Sequence, residues 1–386
     1  MNRIIKGTTV VFWFLAIAFS SLDLASAQEV NIGVIMPLTG KVAAVGIDTL
    51  HGAMVAAKEI NDEGGLSVGG KKSKVTIRSY DDEASAAKAV AGMQLLKDRY
   101  SVPAVIKGLS GPTMACLEKN ERLGILLIGF FKHPDATRQG NKLVLRHQQT
   151  TAEDARDNAG AAAKILKPKA YAMISDTSDY GKASAEGYED VFQKLGVKQV
   201  ASEWFDERTQ TDFRGQLTKI KAAKPDVIML TAHDEASSGV IIQAHELGID
   251  APFVVTTGFG VTAEKLTGPK LIEGYMRRIE FTSKIPWPPA NARYRTELYP
   301  AMGFKEPAAG FGISAYASVH IILQAMQKAG TTTDALKIRQ AVPLVVPLPE
   351  KYNTTGVTAF LEDGSGVIPG GMGVYREGKL VPISLK

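Results

Sequence analysis

Ser110 is the residue best placed to act as a nucleophile. It stands in Gly108-Leu109-Ser110-Gly111, after an apolar run that reads as a strand and before one that reads as a helix. That is the setting of a G-x-S-x-G elbow. The motif needs glycine at 112 and finds Pro112, which has no N–H to offer a developing oxyanion. A serine hydrolase using Ser110 is therefore the remote reading. The same residues suit another chemistry better: Ser110, Gly111 and Thr113, at a strand's carboxyl end beside the first N–H groups of a helix, form a cradle for a carboxylate.

Other chemistries lack their groups. His245-Glu246 has no second histidine at H-E-x-x-H spacing and the six histidines are scattered, so no metal is expected. The loop after the first strand reads Pro37-Leu38-Thr39-Gly40-Lys41 instead of G-x-G-x-x-G, and Gly370-Gly371-Met372-Gly373 precedes a strand rather than a helix. No cofactor is expected. Cys116 is the only cysteine, which excludes an internal disulfide, and it reads as a buried, inert thiol.

The N-terminus sets the compartment. Arg3 and Lys6 give a basic start, Val10 to Phe19 is an uninterrupted apolar run, and Ala25-Ser26-Ala27 is an A-x-A cleavage site. Residues 1–27 are thus expected to be a signal peptide, with the mature chain starting at Gln28. The apolar run falls short of the roughly 20 residues that span a bilayer, and no cysteine at the cleavage site invites a lipid anchor. A free periplasmic protein, expected to be monomeric, fits these features. Removing the leader from the 386 residues leaves 43 basic and 39 acidic side chains, interspersed along the chain. A nucleic-acid partner would need a concentrated basic face, so none is expected.

The elements that must position Ser110 alternate as strand and helix. In the first half, strands are expected at Asn31–Met36, Val75–Tyr80, Ala104–Lys107 and Ile125–Ile128. Helices run to Glu63, over Ala84–Arg99 and over Met114–Leu123. The plan repeats in the second half with strands at Ala170–Ser175, Gln199–Trp204, Val227–Leu230 and Phe253–Thr257. Beyond Tyr275 it changes: Pro286-Trp287-Pro288-Pro289 breaks the chain, helices follow at Ala290–Tyr299, Ile313–Lys328 and Thr333–Ala341, and hairpin strands close it near Val357–Leu361 and Gly373–Tyr375. The fold class is α/β: two Rossmann-like lobes with parallel sheets and an exchanged tail, binding a ligand where the strands' carboxyl ends face each other.

The series Ile32-Gly33-Val34-Ile35-Met36-Pro37-Leu38-Thr39-Gly40, Gly46, Gly52-Ala53, Ile60-Asn61 and Gly64-Gly65 resembles the branched-chain amino-acid-binding type of ABC transporter periplasmic solute receptor. So do Tyr80-Asp81-Asp82 with Ala89-Val90, Gly124-Ile125-Leu126, Asp179-Tyr180-Gly181, Asp212-Phe213 and Lys224-Pro225-Asp226-Val227. The resemblance implies a type I periplasmic binding fold of Venus-flytrap form. Its first lobe would hold residues 28–147 and 282–352, and its second 148–281 and 353–386, with hinge crossings near His147, Phe281 and Tyr352. It further implies no catalysis: the lobes close on a solute and the closed form docks on a membrane permease.

Site residues carry over position by position. The resemblance implies that Ser110 to Thr113 hold the solute carboxylate, that Tyr180 touches the solute from the second lobe, and that His233 occupies or adjoins another contact position. Two departures stand out. The loop after the fourth strand reads Gly129-Phe130-Phe131-Lys132-His133-Pro134, and the family's acid for the solute ammonium falls at or beside Thr257, which is not acidic. An unpartnered buried ammonium is costly. The expected solute is therefore an organic acid with an aromatic or apolar body. One of Phe130 and Phe131 would face the ring while the other joins the core, and Lys132, His133 or Arg146 would pair with the acid. Lys132 reads equally as a solvated cation, and Arg146 also as a hinge ion pair; Phe259 is a weaker contact. Asp234 could restore an ammonium site, which keeps branched-chain amino acids as the alternative.

Overall fold

The computed structural model describes residues 28–280, 288–305, 310–368 and 370–383. The proposed leader and the crossing near Phe281 lie outside the described residues. The first sheet contains β1 (Gln28–Met36), β2 (Leu66–Val68), β3 (Lys71–Asp81), β4 (Ala104–Lys107), β5 (Leu126–Gly129) and β6 (Val144–Arg146), in the order β2-β3-β1-β4-β5-β6. All neighbours are parallel except the β2–β3 hairpin. Gly69 and Gly70, both at positive φ, form its two-residue turn, which no side-chain-bearing residue would enter without strain. β4 and β5 are buried along their whole length, as strands covered by helices on both faces must be.

The second sheet repeats the plan. It contains β7 (Ala170–Asp176), β8 (Lys198–Phe205), β9 (Val227–Thr231), β10 (Phe253–Val255) and β11 (Met276–Glu280). After the small hairpin β12 (Ala359–Phe360) and β13 (Gly366–Val367), β14 (Gly370–Arg376) and β15 (Lys379–Ile383) complete it, in the order β15-β14-β11-β10-β9-β7-β8. β14 and β15 add to β11 as an antiparallel edge. In each sheet the first strand of the half, β1 or β7, lies between strands reached in opposite directions, so each lobe has one switch point at its strands' carboxyl ends.

The chain crosses between lobes at residues 147–150, after β6 and before the helix Thr151–Leu166, which packs on the second lobe's helix Asp179–Lys194. Its return to the second sheet comes later than Tyr352. Val357, Phe360 and Ile368 belong to the first lobe's core, the Thr354 hydroxyl donates to the Ile313 carbonyl at 2.8 Å, and the chain enters the second sheet at Gly370. Residues 353–368 thus pack on the first lobe, where Val357 and Phe360 are buried.

Helices Ala43–Asp62 and Gly310–Ala329 cross on the first lobe with Gly52 against Gly312, so closely that a methyl group on Gly52 would lie 1.9 Å from the Gly312 carbonyl oxygen. The segment expected as one helix over Ala290–Tyr299 is helical without a break over 289–301, with a π-helical stretch, Tyr294–Leu298, between the α-helical pieces Pro289–Arg293 and Tyr299–Ala301. Such wide turns re-aim side chains and recur at functional sites.

Candidate functional site

The loops after β1, β4 and β5 face those after β7, β9 and β10 across a cavity of about 210 Å³. An apolar cavity of about 150 Å³ accepts a benzene ring, so this space is on the scale of a single ring or a short branched chain.

Ser110 begins the helix Ser110–Leu123, four residues earlier than expected, and lines the cavity. Pro112 is tolerated there because the first-turn N–H groups of a helix have no intrahelical acceptor. The residue before the helix, Leu109, carries the unusual backbone, with φ +59°, and also lines the cavity. Ser110 Oγ accepts the Lys132 N–H at 3.3 Å. Thr113 is turned away: fully buried, it donates to the Gly108 carbonyl at 3.0 Å. Gly111 is not among the lining residues.

Phe130 and Phe131 both line the cavity, where only one was expected to. They also serve separate cores on the two faces of the first sheet, because consecutive residues leaving β5 point opposite ways. Phe130 approaches Phe311 with ring centroids 5.5 Å apart. Lys132 is buried rather than solvated. Its ammonium donates to the Asp154 carboxylate and the Thr257 hydroxyl, both in the second lobe. His133 lies outside the cavity lining, its Nδ1 accepting the Asp135 N–H at 3.2 Å. Arg146 also lies off the cavity, as a strut of the crossing: it donates to the Gln148 carbonyl at 3.2 Å and Ser365 Oγ at 2.8 Å. Burial pulls its guanidinium below the usual arginine range.

From the second lobe, Tyr180, His233, Asp234 and Thr257 line the cavity. The Tyr180 hydroxyl donates to Thr256 Oγ1 at 2.6 Å, and its ring lies 4.9 Å from that of His233. Burial pushes that hydroxyl well above the ordinary tyrosine range. His233 is bound twice by Glu207, through its N–H at 2.8 Å and Nδ1 at 2.7 Å. Burial alone would lower the imidazole's pKa, but the Glu207 carboxylate outweighs it and the net shift is upward. Asp234 Oδ1 accepts the N–H groups of Gly260 at 2.7 Å and Ala263 at 3.1 Å, holding the start of helix Val261–Thr267; burial raises its pKa. Phe259 is core, fully buried against Tyr375.

Several lining residues escaped sequence reasoning: Asp48, Gln148, Arg277, Arg295 and Phe311. Asp48 Oδ2 accepts the Gly312 N–H at 2.5 Å, and Arg277 Nε donates to the Tyr375 hydroxyl at 2.9 Å. Gln148, on the crossing, has a buried Oε1 with no hydrogen-bond partner among the described residues. None stands in a recognisable motif; Arg295 reaches the cavity from the π-helical stretch. Among the described residues there is no cluster of three or more His, Cys, Asp or Glu able to hold a metal, and no helix long and apolar enough to cross a membrane.

Two α/β lobes with a small, partly open cavity between their strands' carboxyl ends define a solute-binding fold. The family model described as "Periplasmic binding protein" matches residues 29–346, and the chain belongs to that family. It is 28% identical over 344 residues to "Leu/Ile/Val-binding protein homolog 3" of Brucella melitensis, covering 88% of this chain and 89% of the relative. Its fold matches the branched-chain amino acid transporter substrate-binding protein LivJ of Streptococcus pneumoniae, solved in complex with isoleucine. The TM-score there is 0.79 at 24% identity, over 92% of this chain and 98% of that one. It also matches an ABC transporter solute-binding protein of R. palustris solved in complex with benzoate, with a TM-score of 0.80 at 16% identity, over 92% of this chain and 96% of that one.

Proposed function

We propose that this protein is the periplasmic receptor of an ABC importer, closing its lobes on a small organic acid with an aromatic or apolar body and delivering it to a membrane permease. The observation that carries the reading is Lys132. At the second-lobe wall, where the family resemblance implies an acid at or beside Thr257, the partner of Thr257 and Asp154 is the chain's own ammonium group. A solute ammonium would compete there with a built-in cation, whereas a solute carboxylate would find Ser110 and Lys132 lining the same cavity. Phe130, Phe131, Phe311 and Tyr180 supply apolar walls for a ring, and the unpartnered Gln148 Oε1 offers a polar contact to a ring substituent.

One observation favours the alternative, a receptor for branched-chain or related amino acids: Asp234 also lines the cavity, with one oxygen held by backbone N–H groups. The deciding measurement is the melting temperature of the ligand-stripped mature chain with benzoates, hydroxycinnamates, aliphatic diacids and branched-chain amino acids added singly. A ligand at 100 times its Kd stabilises by about 2.7 kcal/mol, a shift of several degrees. A response confined to aromatic acids supports the proposal. A response to leucine or valine instead refutes it and gives Asp234 the ammonium. For the hydrolase reading, ester turnover that disappears in Ser110→Ala would be required.

A further inference from the structure

Resting on that reading of the cleft, we propose that Lys132 is the residue that sets the charge of the accepted solute, admitting carboxylates and excluding solutes that carry an ammonium group. Lys132 belongs to the first lobe, and its side chain is 10% exposed. Asp154 and Thr257, which accept from its ammonium, belong to the second lobe, and Thr257 lies on the cavity wall. Asp154 is 2% exposed, and its other oxygen lies 3.2 Å from Arg278 Nη1. Asp154 is therefore flanked by two fixed cations, one from each lobe, and Arg278 is shared with Asp157 at 3.4 Å. A third cation arriving with a solute would be stripped of water beside an acid already taken by two cations. An incoming carboxylate has the opposite experience, since Lys132 and Ser110 line the same cavity.

The lysine is held in this place at its backbone as well. Its N–H donates to Ser110 Oγ at 3.3 Å, and its carbonyl accepts the Thr151 N–H at 2.7 Å, the first residue of the helix that carries Asp154. The other acids on the cavity wall, Asp48 and Asp234, are each engaged by backbone N–H groups. Lys132 is thus the cation that both joins the two lobes and borders the helix start where a carboxylate would sit.

The test is calorimetric titration of the mature full chain, wild type and Lys132→Met, with benzoate, a hydroxycinnamate and leucine. Lys132→Met keeps the side-chain length and removes the charge. The expected result is at least tenfold weaker binding of the acids and at least tenfold tighter binding of leucine than in the wild type. Because Lys132→Met could compromise folding, the double variant Lys132→Met with Asp154→Asn, which removes both charges together, is titrated as well. Its expected result is the same loss for acids, and wild-type acid affinity in it overturns the inference. A wild type that binds acids while Lys132→Met keeps the same ligand ranking overturns this inference alone. A wild type that binds leucine and no aromatic acid overturns both the inference and the proposed function.

Discussion

Substituting Gly52 by alanine tests how the first lobe is put together. A methyl group placed there lies 1.9 Å from the Gly312 carbonyl oxygen and 2.6 Å from Gly312 Cα. These are backbone atoms inside a buried helix, so no side-chain rotation relieves the overlap and the two helices must move apart. Overpacking a core costs about 1–3 kcal/mol, occasionally more, and an immovable obstacle puts this case at the upper end, about 3 kcal/mol, despite alanine's better helix propensity. For a lobe of this size each kcal/mol moves Tm by roughly 2–4 °C, so a loss of about 6–12 °C is expected. Gly160 provides the contrast: it lies inside the helix Thr151–Leu166 with nothing within 4 Å of the point a methyl group would occupy, and Gly160→Ala should gain about 0.5–1 kcal/mol. Urea unfolding followed by circular dichroism separates the two. Gly52→Ala that unfolds at or above the wild-type midpoint would refute the reasoning. Solute affinity should fall in the same variant, because the Gly312 N–H holds Asp48 at the cavity wall.

Between His233 and Glu207 the pH dependence has a definite sign. His233 is held above its ordinary 6.5, with Asp176 and Asp234 adding to Glu207, so its share of stability is complete below about pH 6.5 and is lost as pH rises through the folded value. The Tm difference between wild type and Glu207→Gln should therefore shrink as pH is raised from 6.5 to 9, and a constant difference would count against the pair. Burial pushes the Cys116 thiol up to about 11, so a thiol reagent at pH 8 should leave the native chain unlabelled and modify it only after denaturation. Phe130→Ala and Phe259→Ala should each cost about 3–5 kcal/mol in urea unfolding, while only the former, on the cavity wall, weakens the solute response.

Elements whose burial pattern repeats were legible from the sequence. Ala104–Lys107 has the bounds the sequence predicts: an apolar run closed by Lys107, which is buried against Asp82. β2, β6 and β11 were not, and Ser110-Gly111-Pro112-Thr113 looks like loop although it is a helix's first turn. The site divides the same way. Ser110, Phe130 and Lys132, just beyond strands, stand where the alternation of strand and helix puts a ligand, while Tyr180 and Thr257 were reached through the family resemblance. Asp48, Arg295 and Phe311 come from distant stretches of chain, and only tertiary packing brings them to the cavity. Arg146 and Phe259 were plausible by type, but the crossing and the core had already claimed them.

The contact of Asp48 with Gly312 spans 264 positions of chain, and the second sheet gains its last two strands only from residues 370–383. Neither lobe can close its core while the polypeptide is still short, so assembly waits for synthesis to be nearly finished and then proceeds through very long loops, which makes it slow. A nascent chain built this way stays threadable until late. That delay suits a protein whose predicted leader would send it through a membrane before it folds.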